Sequence, residues 1–322
     1  MEHEAISIRY LEISPNILAS FPRFTPPVPL YAFDEKVRQL KLLCRAEQRL
    51  TRKGREELEG LCEEGLLYLA RADYKLYAAH LSKNLGLVLT EDHLSDMEVA
   101  EIFLLGLAGR LEEFYAQPID ATLEILRKDV SVLAEFVWAH PDRTRAFRFT
   151  IGGQHTLYLH SARVCLLGMA LYAAVLGTGG DRRHLGDSAM AFLLHDIGMT
   201  ALPEFVTDKD RPLFNQEKVR MREHPDIGVR ILERLGMRNT VIETCAMQHH
   251  ERMDGTGYPS RMRGDKIHPL ARVCAVVDAF CAMTSERKHA GAKTIAAALA
   301  IVTQDPGFDP KISARLAAFL TD

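Results

Sequence analysis

Imidazole and carboxylate side chains recur in this chain at the margins of apolar sequence. His195-Asp196 closes the run Ala191-Phe192-Leu193-Leu194, and His249-His250-Glu251 closes another apolar helix. His160 lies in a helix with apolar flanks, His224 directly precedes Pro225, and Asp278 interrupts the segment Val273-Cys274-Ala275-Val276-Val277-Asp278-Ala279-Phe280. A carboxylate in so apolar a helix is costly to bury unless a cation or a donor compensates it. Taken singly, each of these residues reads as a wet helix end or a satisfied core group. Taken together, five places on five elements read as a metal cluster, because neutral imidazole and carboxylate are ligands of divalent iron, manganese and zinc. A carboxylate has two oxygens and can bridge two such ions. A two-metal site activates water and steadies both oxygens of a phosphoryl displacement.

Short turns join the helices that must position these groups. Helical periodicity and breakers predict a helix over 155–176 stopped by Gly177-Thr178-Gly179-Gly180, and another over 186–194. Pro225 fits the first turn of a third, closed by Gly236, and Asn239 caps a fourth that ends near Gln248. Pro269 opens a fifth, which carries Asp278, and 293–304 supply a last one. Residues 150–322 therefore read as an all-α domain. Ahead of it, Ser95 and Glu98 form a capping-box pattern before Val99, Phe103, Leu107, Leu111 and Phe114, and a second helix runs to about Ala139. Residues 91–149 read as a helical connector. Residues 1–90 read as a small mixed α/β domain: Val28–Phe33 is a strand candidate among prolines, and helical periodicity holds over 54–89, with Leu58, Leu61, Leu66 and Leu69 as core positions.

Composition narrows the function classes. The 322 residues are 47% hydrophobic and 26% charged, a globular balance. A net charge of −3 supplies no positive field to gather a nucleic-acid polymer. No apolar run reads as long enough to cross a bilayer, and Met1-Glu2-His3-Glu4 lacks the layout of a secretion signal, so the expected location is the cytoplasm, with no membrane partner. The six cysteines, Cys44, Cys62, Cys165, Cys245, Cys274 and Cys281, show no CxxC pairing and read as reduced core residues.

Asp254-Gly255-Thr256-Gly257-Tyr258-Pro259 follows His249-His250-Glu251 directly, a tight loop of glycines and proline around one aromatic. With His160-Ser161-Ala162-Arg163-Val164, His195-Asp196-Ile197-Gly198, Glu223-His224-Pro225 and Asp278, this order resembles the HD-GYP family over residues 150–322. The resemblance implies an HD-type helical domain that hydrolyses cyclic di-GMP to pGpG or GMP with a cluster of metals, commonly iron or manganese. Carried over by motif position, one ion is held by His160, His195, Asp196 and Asp278. The other takes Asp196 as a bridge plus His224, His249 and His250. Asp196 and His195 inherit the catalytic role, and Arg163, Asp254, Tyr258 and Arg287 the contacts to substrate. Gly257, Tyr258 and Pro259 inherit a surface for a signalling partner. Residues 1–90 carry no phospho-acceptor or nucleotide motif, which leaves regulation or contact within a homodimer as their role.

Three departures from the family pattern bear on activity. A third metal needs a glutamate one turn before His160; that position is Thr156, so two ions are expected, and His155, one residue off, should point elsewhere. The lysine that ends the HDxGK motif is Met199, which removes a cationic phosphate donor. The basic and aromatic segment after the last aspartate reads Arg287-Lys288-His289-Ala290, with only its first guanidinium retained. Lys288, Lys293 and Arg163 are the cations placed to take over. The metals are spared and the grip on substrate is eroded, so two functions compete: a phosphodiesterase with weak turnover, or a metal-stabilised cyclic di-GMP receptor and protein-interaction module.

Overall fold

The computed structural model describes residues 9–34, 36–91, 94–176, 182–203, 211–288 and 290–321. The expected glycine stop at 177–180, the N-terminal four residues and His289 lie outside them. The chain forms two compact units, Met1–Gly106 and Leu107–Asp322.

In the first unit the elements are Tyr10–Glu12 (β1), Pro15–Ser20 (α1), Leu30–Asp34 (β2), Gln39–Cys44 (β3), Arg52–Glu63 (α2), Leu67–Ala70 (β4) and Tyr74–Leu81 (α3). The strands make one antiparallel sheet in the order β1-β4-β2-β3, with Leu11 opposite Leu69 and Ala32 opposite Leu67. Ser14 and Thr51 cap α1 and α2 by accepting from the N–H groups of Ile17 and Gly54. The helical periodicity expected over 54–89 is broken by β4. Gly65, at φ 71°, ends α2, and the Leu66 N–H returns to the Leu61 carbonyl, so the chain leaves as a strand. Consequently Leu58 and Leu69 are in the core, whereas Leu61 and Leu66 are half-exposed.

A long helix, Asp96–Ala116 (α4), leads from the first unit into the second. Ser95 and Glu98 close the expected capping box, with Ser95 N–H donating to Glu98 at 2.8 Å and Glu98 N–H to Ser95 Oγ at 3.4 Å. Val99, Phe103, Leu107, Leu111 and Phe114 are all fully buried. Asp120–Ala139 (α5) follows, then Leu157–Leu176 (α6), Arg182–Leu194 (α7), Asn215–Met221 (α8), His224–Arg234 (α9), Thr240–Gln248 (α10), Pro269–Thr284 (α11), Ile295–Gln304 (α12) and Pro310–Thr321 (α13). The molecule is thus mainly α, with a helical domain behind a small α/β unit. The second unit takes in most of the stretch read as a connector, because α5 packs on α7 and the turn 141–150 packs on α6.

Helix α6 is central to the second unit, packed against α7, α11 and α13. Its segment Leu157–Val175 is long and apolar enough to cross a bilayer, contrary to the reading that no run is. Most of it is buried inside the molecule, which identifies a core helix. The sequence signals for α9 and α10 are visible in the structure: Pro225 sits in the first turn of α9, Gly236 takes φ 66°, and Asn239 Oδ1 accepts from the N–H groups of Val241 and Ile242. Helices α8 and α13 had no such signal in the reading above.

Candidate metal centre

Four helix ends and one helix interior converge in the second unit. α6 delivers His160, the end of α7 delivers His195 and Asp196, the start of α9 His224, the end of α10 His249 and His250, and the middle of α11 Asp278. Side-chain donor atoms fall into two sets, Asp196, His224, His249 and His250 in one, and His160, His195 and Asp278 in the other, each within 4.8 Å. Asp196 lies between them. Its Oδ1 is 3.2 Å from His224 Nε2 and 3.5 Å from His249 Nε2, while its Oδ2 is 3.6 Å from His195 Nε2 and 3.9 Å from His160 Nε2. Asp278 Oδ1 meets His160 Nε2 at 2.9 Å, and its Oδ2 lies 4.0 Å from His250 Nδ1.

The rings are oriented by the helix ends that carry them. The Nδ1–H groups of His195, His224 and His249 donate to the carbonyls of Phe192, Met221 and Ala246 at 2.7, 2.7 and 2.9 Å. Those bonds turn each Nε2 lone pair inward, as in metal sites where a backbone carbonyl fixes the histidine tautomer. His195 Nε2 is buried without any hydrogen-bond partner. An orphaned inward-facing acceptor beside two carboxylates fits a divalent ion, and the N/O donor set suits iron, manganese or zinc.

Electrostatics agree with that fit. Burial pushes His195 down to about 4, against the pull of Asp196. Burial also lowers His224, and burial with the neighbouring His249 lowers His250 strongly. Burial alone would raise the two carboxyls, but His195, His249 and His224 hold Asp196 far below the usual range, and His160, His250 and His195 do so for Asp278. His249 goes the other way: burial opposes its charge, but the bond to Asp196 outweighs it and raises the ring. His224 and His249 meet Nε2 to Nε2 at 3.1 Å, each ring held at its Nδ1 by a carbonyl.

Glycines set the close approaches. A Cβ on Gly198 would lie 1.9 Å from the His224 carbonyl oxygen, so only glycine lets the Ile197–Ala201 turn press onto the start of α9. Gly257 would clash with the His250 oxygen and Arg252 nitrogen at 2.5 Å. Tyr258 stacks on His250 at 4.6 Å, and the Tyr258-Pro259 bond is cis. Glu251, quoted above only as part of its motif, is buried and accepts from the N–H groups of Ser260 and Met262 at 2.7 and 2.9 Å, tying the loop to the histidine pair.

The expected substrate-binding residues divide. Tyr258 stands beside the cluster. Arg287 has a buried Nε with no hydrogen-bond partner, and its charge acts on His155. Arg163 instead donates Nε to the Thr150 carbonyl and Nη1 to the Gln154 carbonyl, at 2.9 and 2.8 Å, so its guanidinium is committed to the chain's own backbone. Asp254 accepts from Thr256 N–H and Oγ at 3.0 and 2.7 Å, which makes it a turn former. Thr156 caps α6 by accepting from Leu159 N–H. His155, read as pointing elsewhere, is in neither donor set, although its ring lies 5.1 Å from that of His160; its N–H bonds the Glu286 carbonyl at 3.1 Å.

Comparison with known proteins accords with this geometry. Residues 160–312 match the HD domain family. The chain is 33% identical over 185 residues to cyclic di-GMP phosphodiesterase PA4108 of Pseudomonas aeruginosa, covering 57% of this chain and 44% of that protein. It is 41% identical over 172 residues to the cyclic di-GMP phosphodiesterase response regulator RpfG of Xanthomonas campestris, covering 52% and 43%. The matches therefore span under half the length of these relatives. Bd1817, an HDG"Y"P protein from Bdellovibrio bacteriovorus, has a similar fold: TM-score 0.64 at 18% identity, over 97% of this chain and 100% of that one.

Proposed function

We propose that this HD domain hydrolyses cyclic di-GMP to pGpG or GMP at a binuclear metal centre. The single observation that supports it most is the placement of Asp196, with one carboxylate oxygen toward each histidine set. His160, His195 and Asp278 would hold one ion, His224, His249 and His250 the other, and Asp196 would bridge them. Iron fits this donor set, with manganese as the alternative. Bound ions supply Lewis acidity toward the phosphodiester and an activated water. The protein's part is orientation: carbonyl-bonded rings keep Nε2 inward, Asp196 and Asp278 stay ionised, and Tyr258 with Arg287 flank the space where a nucleotide would lie. The named activities of PA4108 and RpfG support the substrate class.

A second reading, a cyclic di-GMP receptor or interaction module with little turnover, is favoured by Met199, Ala290 and the engaged Arg163. The Gly257-Tyr258-Pro259 loop is the surface it would offer a signalling protein. Metal content and cyclic di-GMP turnover measured on one anaerobically purified sample separate the two. About two ions per chain with product release supports the enzyme; the same metal with binding but no product supports the receptor; a chain that takes no metal sinks both.

A further inference from the structure

Arg163 stands three residues after His160 on α6 and is buried. Its guanidinium is spent on one short stretch of backbone: Nε donates to the Thr150 carbonyl and Nη1 to the Gln154 carbonyl, at 2.9 and 2.8 Å. Two nitrogens of one planar fork thus span carbonyls four residues apart, which a flexible ammonium does not reproduce. The strap between those carbonyls turns on Gly152 at φ 91° and Gly153 at φ 75°, and a Cβ on Gly153 would come within 3.2 Å of Arg163 Nη2. The same strap is paired with the chain that leaves α11. Glu286 N–H donates to the Gly153 carbonyl at 2.9 Å, and His155 N–H to the Glu286 carbonyl at 3.1 Å. Arg287 follows directly, and its backbone exchanges bonds with Ala290 at 3.0 and 3.2 Å. The backbone of Arg287 is therefore placed from two sides, by that turn and by the bridge to the strap. Its side chain is half-exposed, buries Nε without a hydrogen-bond partner, and makes no ion pair among the described residues. It lies beside His155, whose ring is 5.1 Å from that of His160; burial first, then the Arg287 charge, push His155 down to about 3. A guanidinium without a counter-ion next to the cluster suits a phosphate oxygen.

We propose that Arg163 is a positioning residue for substrate binding: it holds the 150–154 strap, the strap holds the bridge at Glu286, and the bridge sets Arg287 where it meets a phosphate oxygen. This rests on the phosphohydrolase reading above. Arg163 acts through backbone bonds alone, so its effect on substrate must pass through Arg287.

The test is a double-mutant cycle on the metal-loaded full chain, with Arg163→Lys, Arg287→Gln and the two combined. Affinities for inorganic phosphate and for cyclic di-GMP are measured by calorimetry beside the unaltered protein, together with metal content. The expected result is unchanged metal content and a loss of affinity of roughly tenfold in each single variant, the size of one hydrogen bond to a charged group. The combined variant should bind no more weakly than Arg287→Gln alone. Unchanged phosphate affinity in either single variant overturns the proposal, and so do losses that multiply in the combined one. Loss of bound metal from Arg163→Lys also overturns it, since Arg163 would then support His160 rather than Arg287. Should Arg163→Lys fail to fold, Gly153→Ala disturbs the same strap from its other partner and takes its place in the cycle, with the same outcomes deciding. If the unaltered chain binds phosphate but not cyclic di-GMP, the substrate reading fails while the phosphate cycle still decides the role of Arg163. A chain that binds neither overturns both.

Discussion

The two halves of the metal cluster are built differently. In the half made by His224, His249 and His250, the first two rings are bonded through Nδ1 to helix carbonyls, and the third is stacked under Tyr258. In the half made by His160, His195 and Asp278, only His195 has such a bond. His160 Nδ1 is buried without a partner, and that ring is held by its 2.9 Å contact to Asp278. The first half is organised by backbone, the second by the ligands themselves. Preorganised rings give up less freedom when an ion binds, so the first half should bind its ion more tightly and release it more slowly.

The largest effect should come from removing what the halves share. Asp196→Ala is expected to empty both, which elemental analysis after gel filtration reads as about zero ions per chain, with turnover at background. Retention of one ion would mean that the carboxylate is not a bridge. Next in size are the changes confined to one half. Gly198→Ala drives a Cβ into the His224 carbonyl and should cost about 1–3 kcal/mol of stability, seen as a lower Tm, and weaken the first ion while sparing the second. His160→Ala should do the reverse: one ion lost, little change in Tm, and the remaining ion still resistant to chelator. Equal chelation rates from both halves of the unaltered protein would break the comparison. Restoring the family lysine should have a smaller but readable effect. Met199→Lys is expected to tighten cyclic di-GMP by a factor of tens, about 1.5–3 kcal/mol for one charged contact, without altering metal content. No gain in affinity would show that the grip on substrate does not depend on that position.

Much of the helical half was legible because helix ends carry local signals. Pro225, Gly236, Asn239 and Pro269 each mark a boundary through their own backbone or side-chain chemistry, and the structure has helix ends at those places. The cluster was legible for a related reason: a polar residue at the rim of an apolar run is conspicuous one at a time. What was missed depends on partners far along the chain. β4 looks helical by spacing, and only its pairing with β1 and β2 makes it a strand. The backbone duty of Arg163 comes from carbonyls at 150 and 154.

Protons offer the finest test of the difference between the halves. In the first half burial keeps His224 and His250 below the ordinary imidazole value of about 6.5, so neither competes with an ion near neutral pH. His249 is raised above it through Asp196, so it keeps a proton to higher pH than its neighbours do. An ion entering there must displace that one proton, and binding must therefore weaken as pH falls below the raised value of His249. The sign is fixed by the bound proton, and the magnitude by how many rings carry one. Ion affinity of the first half, measured with His160→Ala to leave only that half loaded, should fall about tenfold per pH unit as pH drops below the ordinary imidazole value of about 6.5. Calorimetry in buffers of differing ionisation heat should count about one proton released per ion. A slope two or three times steeper would mean that His224 and His250 are charged as well, and that the first half is not held ready for its ion.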